Sequence, residues 1–579
     1  MRVNIKLSKI HQDDTIIVAN NRQVLAIKRS ISEQRGATKL PNIYSYTAWL
    51  EKLWQQQNTE HNLRLLSQSE LRLLFKKIIE SGPVAQPDIV IEELTKCYHL
   101  CKSYFIEINN LANYSSTCSL FVRWIRELEK TKKERNYIDS TDLYSQIYLS
   151  IKKISKSRRY FIYGFNKTTP AQKNLFDSLR CETINTLSRS NSPKSLSFPD
   201  SDTEIQAIAE WAKELSNNKP NDQIGIVVPN ISESQFTVKR IFDQVFDSSL
   251  LETKNKPYNI SLGVPLLQYP LIQHLLNIIV LSKQIINNKI DHQLLIHVIT
   301  SPYITGAQKE SNKRSLEVNK VLATKRESSS FKKITNLVRN CEQFVEVIDQ
   351  INRLKLQQKI LHEDWLVVFN RILFIWGFST DRELTSDEFQ LLKKFQEESL
   401  ILNKISGDLN KTSFDDAINT LQSHLGSVVF QAQSGPANIH ILGALEAEGL
   451  SFDGAWISNM TSNFLPGIIK IPLFIPNKVC AEYGIPNSSF DIIHDNANTT
   501  IEALNNLSSN LVYSYAKSHN EIEQLPTPYL SFDEYQLKQS KVSNSRELNV
   551  IEDSQAPCIE DYEIKEGVST LQDQMSCAF

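Results

Sequence analysis

The chain has 579 residues, more than one hydrophobic core supports, so several domains are predicted. Hydrophobic residues make up 41% and charged residues 22%, which favours a packed globular protein over a disordered or fibrous one. The 64 Lys and Arg residues are balanced by 65 Asp and Glu residues, which excludes a uniformly basic nucleic-acid-binding protein. Any contact with nucleic acid must therefore come from local basic patches.

The first residues lack the charged and then apolar layout of a signal peptide, and no apolar run reaches the ~18 residues of a membrane-spanning helix. Eight cysteines are sparse and irregularly spaced, which argues against a disulfide framework. We therefore predict a cytoplasmic protein that has no membrane partner.

In chain order, the first predicted unit is a buried strand over Thr15 to Ala19, which runs through a polar turn into a basic amphipathic helix. Residues 60 to 136 predict helices throughout. A second strand is predicted over Tyr160 to Tyr163, followed by a helix that Thr169 and Pro170 begin. The Ser- and Pro-rich segment 187–202 predicts a junction between domains.

The second half repeats this pattern. Segment 202–215 predicts a helix and 223–230 a strand, residues 264 to 430 are mostly helical, and segment 437–460 predicts two strands joined by an acidic turn. We expect an α/β fold whose two α/β domains are each interrupted by a helical insertion. The predicted ranges are 1–59 plus 137–200 with an insertion at 60–136, then 201–263 plus 431–535 with an insertion at 264–430, and a polar linker at 536–579.

A nucleotide-binding first strand should lead into a Gly-rich loop with a Lys, because main-chain amides and an ammonium group must neutralise the phosphates. The loop here reads ANNRQ, in which Asn20, Asn21 and Arg22 are polar but no glycine lets the backbone wrap a triphosphate. After Tyr163, Asn166 stands where paired carboxylates would hold Mg²⁺. We predict no ATPase site, no catalytic residue and no cofactor in this chain.

Other catalytic motifs are missing from the sequence, which has no HExxH, GxSxG or CxxC pattern. Cys97, His99 and Cys101 could be read as metal ligands. No second ligand pair has matching spacing, so helix packing is the favoured interpretation.

Three tryptophans lie near Lys and Arg, as base stacking and phosphate contact require. Trp49, Trp54 and Trp124 are also spaced with Leu and Ile as in an amphipathic helix. A core position is favoured for each of them, and contact with DNA is the alternative.

Taken together, the segments TIIVANNRQVLAIKR, RRYFIYGFNKTTPAQKNLF, YNISLGVPLLQYPLIQHLLNI and LGALEAEGLSFDGAWISNMTSNFLPG resemble a family of bacterial DNA repair proteins related to AddB and RecB. In that family a degenerate helicase of the UvrD type precedes a PD-(D/E)XK nuclease. The resemblance implies two RecA-like domains with large helical insertions, and DNA as a partner.

Within that family, LEAEGLSFDGAWI is similar to the helicase motif that connects the nucleotide cleft to the DNA strand, and Glu448, Gly449, Phe452 and Asp453 match it. LVYSYAKSHN resembles the segment that carries an ATP-sensing arginine, but no arginine is present there. The residues expected to contact DNA are Asn21, Arg22, Trp49, Gly449 and Phe452.

The segment STLQDQMSCAF resembles the start of the family's nuclease domain, and Cys577 matches one of four iron-sulfur ligands of AddB-type nucleases. The resemblance implies that the Mg²⁺-binding nuclease residues and the other cluster ligands of a complete member would follow Phe579. We therefore expect a chain truncated at the start of the nuclease domain.

The leading hypothesis is a DNA-binding scaffold of a repair or recombination protein. One alternative is the targeting half of a nuclease that a continuation or a second chain completes. Another is a subunit that binds a nuclease or helicase partner.

Overall fold

A computed structural model gives the fold of most of the chain. It describes residues 2–3, 10–36, 39–57, 63–80, 87–150, 159–185, 192–249, 251, 255–324, 326–406, 411–432, 435–535, 572 and 575–576. The segment predicted as a linker, 536–579, lies outside these ranges apart from three residues in helical conformation, Gln572, Met575 and Ser576. Cys577 also lies outside the described residues.

The chain opens with the strand and helix that the sequence predicts. The first strand is buried over all four of its apolar or β-branched residues, because parallel neighbours pair with it on both sides. Asn20 begins the following helix, since its side chain accepts hydrogen bonds from first-turn amides. The elements are β1 (Thr15–Val18), α1 (Asn21–Arg35), β2 (Asn42–Ser45) and α2 (Tyr46–Gln57).

A mainly helical segment follows, and residues far along the chain complete its core. Phe121 stacks on Phe474 with 5.3 Å between the ring centroids, and Ile475 and Val479 are buried in the same cluster. These helices therefore do not cover their apolar faces by themselves. The elements are β3 (Arg64–Leu65), α3 (Gln68–Glu80), α4 (Pro87–Tyr104), a 3-10 helix (Ile108–Asn113), α5 (Ser116–Glu134), β4 (Tyr137–Ile138) and α6 (Asp142–Ser150).

Two more strands complete a four-stranded parallel sheet. They are β5 (Tyr160–Tyr163) and β6 (Glu182–Thr183), joined by α7 (Pro170–Ser178). The strand order is β2-β1-β5-β6. Thr169 caps α7 and Pro170 occupies its first turn, which confirms the predicted start of this helix.

The second sheet begins one strand earlier than the sequence indicates. Its first elements are β7 (Lys194–Asp200), α8 (Ser201–Asn218), β8 (Ile224–Val227), α9 (Ile231–Val245) and β9 (Tyr258–Ile260). The segment predicted as a junction contains β7, which pairs with strands of the second sheet, so the boundary at residue 200 is one strand too late. Its polar composition suits a strand because only Ser197 and Phe198 are buried and Pro199 lies near its end.

A second helical segment interrupts the second sheet, in the range predicted as an insertion. Its helices surround one apolar cluster in which Trp365 and Trp376 are fully buried. The elements are β10 (Val264–Pro265), a 3-10 helix (Leu266–Gln268), α10 (Pro270–Ile286), β11 (Ile290–Asp291), α11 (His292–Ile299), α12 (Ser311–Ala323), β12 (Ser328–Ser329), α13 (Phe331–Leu337), α14 (Glu342–Asn352), α15 (His362–Ile375), α16 (Ser386–Ser399), α17 (Ile401–Ser406), α18 (Phe414–Ser427) and β13 (Val429–Phe430).

The last elements return to the second sheet. They are β14 (Ile439–Leu442), α19 (Ala444–Ala447), β15 (Gly454–Ile457), α20 (Asn477–Glu482), α21 (Phe490–Asn505), β16 (Leu511–His519), β17 (Ile522–Glu523) and β18 (Asp533–Glu534). The strand order is β18-β7-β16-β15-β8-β14-β9, all parallel, and β17 pairs antiparallel with β16. The two strands predicted in segment 437–460 are confirmed as β14 and β15.

Side chains of both sheets share one hydrophobic core. Val18 and Phe161 of the first sheet lie in the same buried cluster as Leu442 and Ile457 of the second. Met1–Glu534 accordingly form one compact unit. The chain is an α/β protein with mostly parallel sheets, as predicted.

Candidate functional site

Three turns meet where strands of the two sheets end. The first turn follows β1 (residues 19–23), the second follows β5 (residues 163–167), and the third lies between β14 and β15 (residues 443–450). Hydrogen bonds connect the third turn to each of the other two. The carboxyl ends of parallel strands are where α/β folds bind ligands. We call this region the inter-sheet cleft. It contains Asn21, Arg22 and Gly449, three of the residues predicted to contact DNA.

The amides after β1 are occupied by the protein's own side chains. The side-chain oxygen of Asn20 accepts hydrogen bonds from the main-chain amides of Arg22 (3.1 Å) and Gln23 (3.0 Å). The Gln23 side-chain oxygen accepts from the amides of Ala19 (2.9 Å) and Asn20 (3.4 Å). These amides are the groups that a phosphate-binding loop turns toward its ligand. A phosphate at this position would have to displace both side chains.

Gln23 also connects the two sheets. Its side chain is fully buried, and its Nε2 donates a hydrogen bond to the main-chain carbonyl of Glu448 at 2.9 Å. Sequence reasoning did not single out Gln23. The available signal was the Asn-x-x-Gln spacing at the start of α1, which is typical of a capping box.

Arg22 is held within the protein. Its Nη2 donates to the carbonyl of Ser261 at 2.6 Å, and its Nε lies 3.6 Å from a carboxylate oxygen of Glu446. The guanidinium group therefore joins α1 to the segment after β9 and to α19. Asn21, in contrast, is exposed at the first position of α1.

Tyr163 and Gly449 form a third connection between the sheets. The Tyr163 hydroxyl donates a hydrogen bond to the carbonyl of Gly449, and burial raises the pKa of Tyr163, which keeps the hydroxyl protonated. Gly449 has a φ of +72°. A Cβ at this residue would lie 3.0 Å from Nε2 of Gln23, so glycine suits both the turn and the packing.

The turn after β5 faces a carboxyl group. Burial raises the pKa of Glu448, and a hydrogen bond from Asn166 and the nearby ammonium of Lys167 oppose that change. Lys167 itself donates a hydrogen bond to Asn496 of α21. The acidic turn is thus paired with an amide and an ammonium group on the first sheet.

A pocket of about 440 Å³ opens beside these contacts. Tyr163, Phe165 and Asn166 line one side, and Gly449 and Leu450 line the other. Its polar groups are mainly hydroxyls and amides, and no Lys or Arg belongs to the described lining. The pocket therefore offers little to neutralise a phosphate.

Trp49 and Phe452 lie in cores. Each side chain is 2% exposed. Trp49 packs edge-on against Tyr160, with 6.2 Å between the ring centroids, and a Cβ at Gly225 would lie only 2.5 Å from the Phe452 ring. The prediction of DNA contact is wrong for both rings as folded here, because neither face is open for stacking.

The cysteine cluster of α4 belongs to a core as well. Cys97 and Cys101 are buried in the cluster that Phe474 completes. Burial raises the pKa of each thiol to about 12, so both stay protonated at neutral pH. The packing interpretation is confirmed for these two residues. Within the described ranges, no group of three potential ligand side chains could hold a metal ion.

A charged groove of about 570 Å³ lies between the two helical segments. Its lining includes the apolar side chains of Leu73, Ile78 and Trp124. Lys77 of α3, Arg123 of α5 and Lys404 of α17 are exposed there and form no ion pair within the described part of the chain. We call this the insertion groove.

Comparison with models of known protein families gives no match, and comparison with the curated proteins gives none either. Among the helices that the structure describes, none is both long and apolar enough to cross a lipid bilayer.

Proposed function

We propose that the chain is the DNA-binding scaffold of a repair or recombination protein, built on two RecA-like α/β domains whose nucleotide cleft no longer drives a motor. The observation that carries this proposal is the use of Asn20 and Gln23 as internal ligands for the amides after β1. A motor needs those amides free for phosphate.

The shared core supports a scaffold rather than a motor. Motor domains open and close their cleft during each cycle, which requires an interface that separates easily. Here apolar side chains of both sheets form one buried cluster. Gln23, Arg22 and Tyr163 add three polar connections across the cleft. Opening the cleft would expose apolar surface and leave buried polar groups unpaired.

The insertion groove is the surface that we propose for DNA. Lys77, Arg123 and Lys404 present positive charge there without an acidic partner in the described residues. Lys and Arg side chains that are free of ion pairs can neutralise phosphates and release counterions. The groove also contains Glu127 and Glu134, whose carboxylates repel phosphates, so DNA should bind this surface less tightly than it would bind a continuous basic stripe.

The direct test is fluorescence anisotropy of the purified chain with labelled single-stranded DNA and with a duplex end. We expect binding at about 50 mM salt that weakens by tenfold or more at about 200 mM, because several phosphate contacts are made. Mg²⁺ and ATP should leave the affinity unchanged. No binding at low salt would overturn the proposal.

A second candidate is a subunit that carries a nuclease or helicase partner. The exposed side chains of Ile468, Ile469, Ile471 and Leu473 favour it, since they form a run of apolar residues on one loop. Copurification of a partner from a DNA-free preparation, with Mg²⁺-dependent DNA cleavage by the complex and not by the chain, would support this candidate.

A further inference from the structure

A second opening lies at the carboxyl ends of the central strands of the second sheet. The chain leaves β8 toward β9 and leaves β15 toward β16, on opposite sides of this strand pair. Parallel sheets bind ligands where the direction of connection switches in this way. A pocket of about 100 Å³ lies there, and Val228, Asn230, Ser458 and Asn459 line it. We call it the switch pocket.

The switch pocket contains a buried carboxyl group. Glu204 of α8 lines it and is only 2% exposed. Its Oε1 accepts hydrogen bonds from the amide of Asn459 (3.1 Å) and the hydroxyl of Ser514 (2.6 Å). Its Oε2 has no hydrogen-bond partner in the described part of the chain, where no Lys or Arg lines the pocket. A buried carboxylate without a cation is unfavourable.

The charges around the pocket select against an anion. The helices α8 and α9 both begin there. However, the carboxylate of Asp200 already accepts from the first-turn amide of Thr203 at 2.8 Å. Glu233 adds negative charge at the rim, whereas Arg240 balances the charge of Asp202 at 2.7 Å. A positively charged guest is therefore favoured over a phosphate.

A second polar group in the pocket lacks a partner. Thr461 lines the pocket, is 2% exposed, and its hydroxyl makes no hydrogen bond within the described ranges. Buried hydroxyls are ordinarily paired with protein, water or ligand. The Thr461 hydroxyl and Oε2 of Glu204 thus have no protein partner in the described ranges, and both oxygens remain accessible from the pocket. A group with several N–H donors would satisfy both.

We propose that the switch pocket binds a small organic cation, an ammonium or guanidinium group, through the carboxylate of Glu204 and the hydroxyl of Thr461. The size of the pocket suits the charged end of such a molecule, with the remainder extending into solvent. This inference goes beyond the scaffold function and does not depend on it.

The test uses agmatine, which carries a guanidinium and an ammonium group, added to the full chain at about pH 8 with NaCl at equal ionic strength as the reference. We expect agmatine to raise the melting temperature saturably. In Glu204→Gln the apparent Kd should rise by about tenfold or more, because a charge-assisted hydrogen bond is lost. Glu210→Gln, which removes an exposed carboxylate of α8 outside the pocket lining, is the matched control and should keep the wild-type Kd within about twofold.

Thr461→Val keeps Glu204 and nearly the same side-chain volume. It therefore tests cation binding in the switch pocket even if Glu204→Gln does not fold. We expect it to raise the Kd by about threefold to tenfold through the loss of one hydrogen bond. The proposal is overturned if the wild-type chain shows no saturable shift, or if the folded variants respond to agmatine as the wild type does.

Discussion

The side-chain amide of Gln23 donates a hydrogen bond to the main-chain carbonyl of Glu448, so that the first turn of α1 is joined directly to the acidic turn of the second sheet. Gln23→Ala removes this bond and the bonds to the amides of Ala19 and Asn20. We expect it to lower the free energy of unfolding by about 2 to 4 kcal/mol, because buried groups lose their partners. Urea denaturation followed by circular dichroism measures the change.

Gln172→Ala is the matched control for that experiment. Gln172 occupies the same capping position in α7, where its side-chain oxygen accepts from the amide of Thr169 at 2.9 Å. It should cost only about 1 kcal/mol, the usual value of a helix cap. Equal losses for Gln23→Ala and Gln172→Ala would contradict the role of Gln23 between the sheets.

Gly164→Ala should be strongly destabilising. Gly164 has a φ of +75°, and a Cβ there would lie 2.1 Å from Nε2 of Gln23. The backbone strain and the clash together should cost about 3 kcal/mol or more. Gly484→Ala has a similar φ of +63° with nothing within 4 Å of the added Cβ, so it should cost about 1 kcal/mol. Thermal unfolding of both variants checks the difference, and similar melting temperatures would refute it.

Mg²⁺ and ATP should not stabilise the chain. The amides after β1 are already hydrogen-bonded to Asn20 and Gln23, so a bound triphosphate would have to break those bonds. A ligand present at about 100 times its Kd would add roughly 2.7 kcal/mol of stability. Differential scanning calorimetry with millimolar Mg²⁺ and ATP should show no shift beyond that of a salt control. A saturable rise in melting temperature would mean that the cleft still binds nucleotide.

Removing positive charge from the insertion groove should weaken DNA binding to the same extent whatever the sequence of the DNA. The double variant Lys77→Ala with Arg123→Ala loses two potential phosphate contacts. Its plot of log affinity against log salt should become shallower by about 2, since each lost contact reduces the slope by about 1. Lys173→Ala with Lys219→Ala removes two exposed charges outside the groove lining and should leave the slope unchanged. Equal effects of the two double variants would exclude the groove as the DNA surface.

Glu204 should make stability depend on pH. Burial raises its pKa from 4.5 to about 7 in the folded chain, against hydrogen bonds from Ser514 and Asn459 that lower it. The folded state therefore holds the proton more tightly than the unfolded state, and the contribution of Glu204 is fully present below about pH 4.5 and declines up to about pH 7. Over this pH range the free energy of unfolding should fall by about 3 kcal/mol.

Glu204→Gln should remove that part of the pH profile, because its side chain does not titrate. Urea denaturation at intervals between about pH 4.5 and 8 gives both profiles. Glu233→Gln, at the exposed rim, should follow the wild type. An unchanged profile in Glu204→Gln would show that another group causes the decline.

The sequence predicted the parts of the fold that local patterns determine. Buried strands such as Thr15–Val18 and Tyr160–Tyr163 are continuous apolar runs, and Thr169 with Pro170 is a local helix start. β7 was missed because its pairing depends on β16, more than 300 residues away, and not on its own composition.

In the candidate site, too, local sequence patterns predicted some features and long-range contacts determine the others. The polar turn after β1 was found from its sequence, but the bond from Gln23 to Glu448 joins residues 425 positions apart and has no local pattern. Trp49 and Phe452 carry the aromatic character of a stacking surface. Only the tertiary packing decides that their rings face cores.

The contact between Phe121 and Phe474 has a consequence for biosynthesis. Helices α3 to α5 leave the ribosome about 350 residues before the segment with Phe474, which covers their apolar face. At a translation rate of roughly 5 to 20 residues per second, that apolar surface stays uncovered for about 20 to 70 s. During this interval a holding chaperone has an exposed apolar face to bind, and the amino-terminal helices cannot reach their final packing until translation has passed Val479.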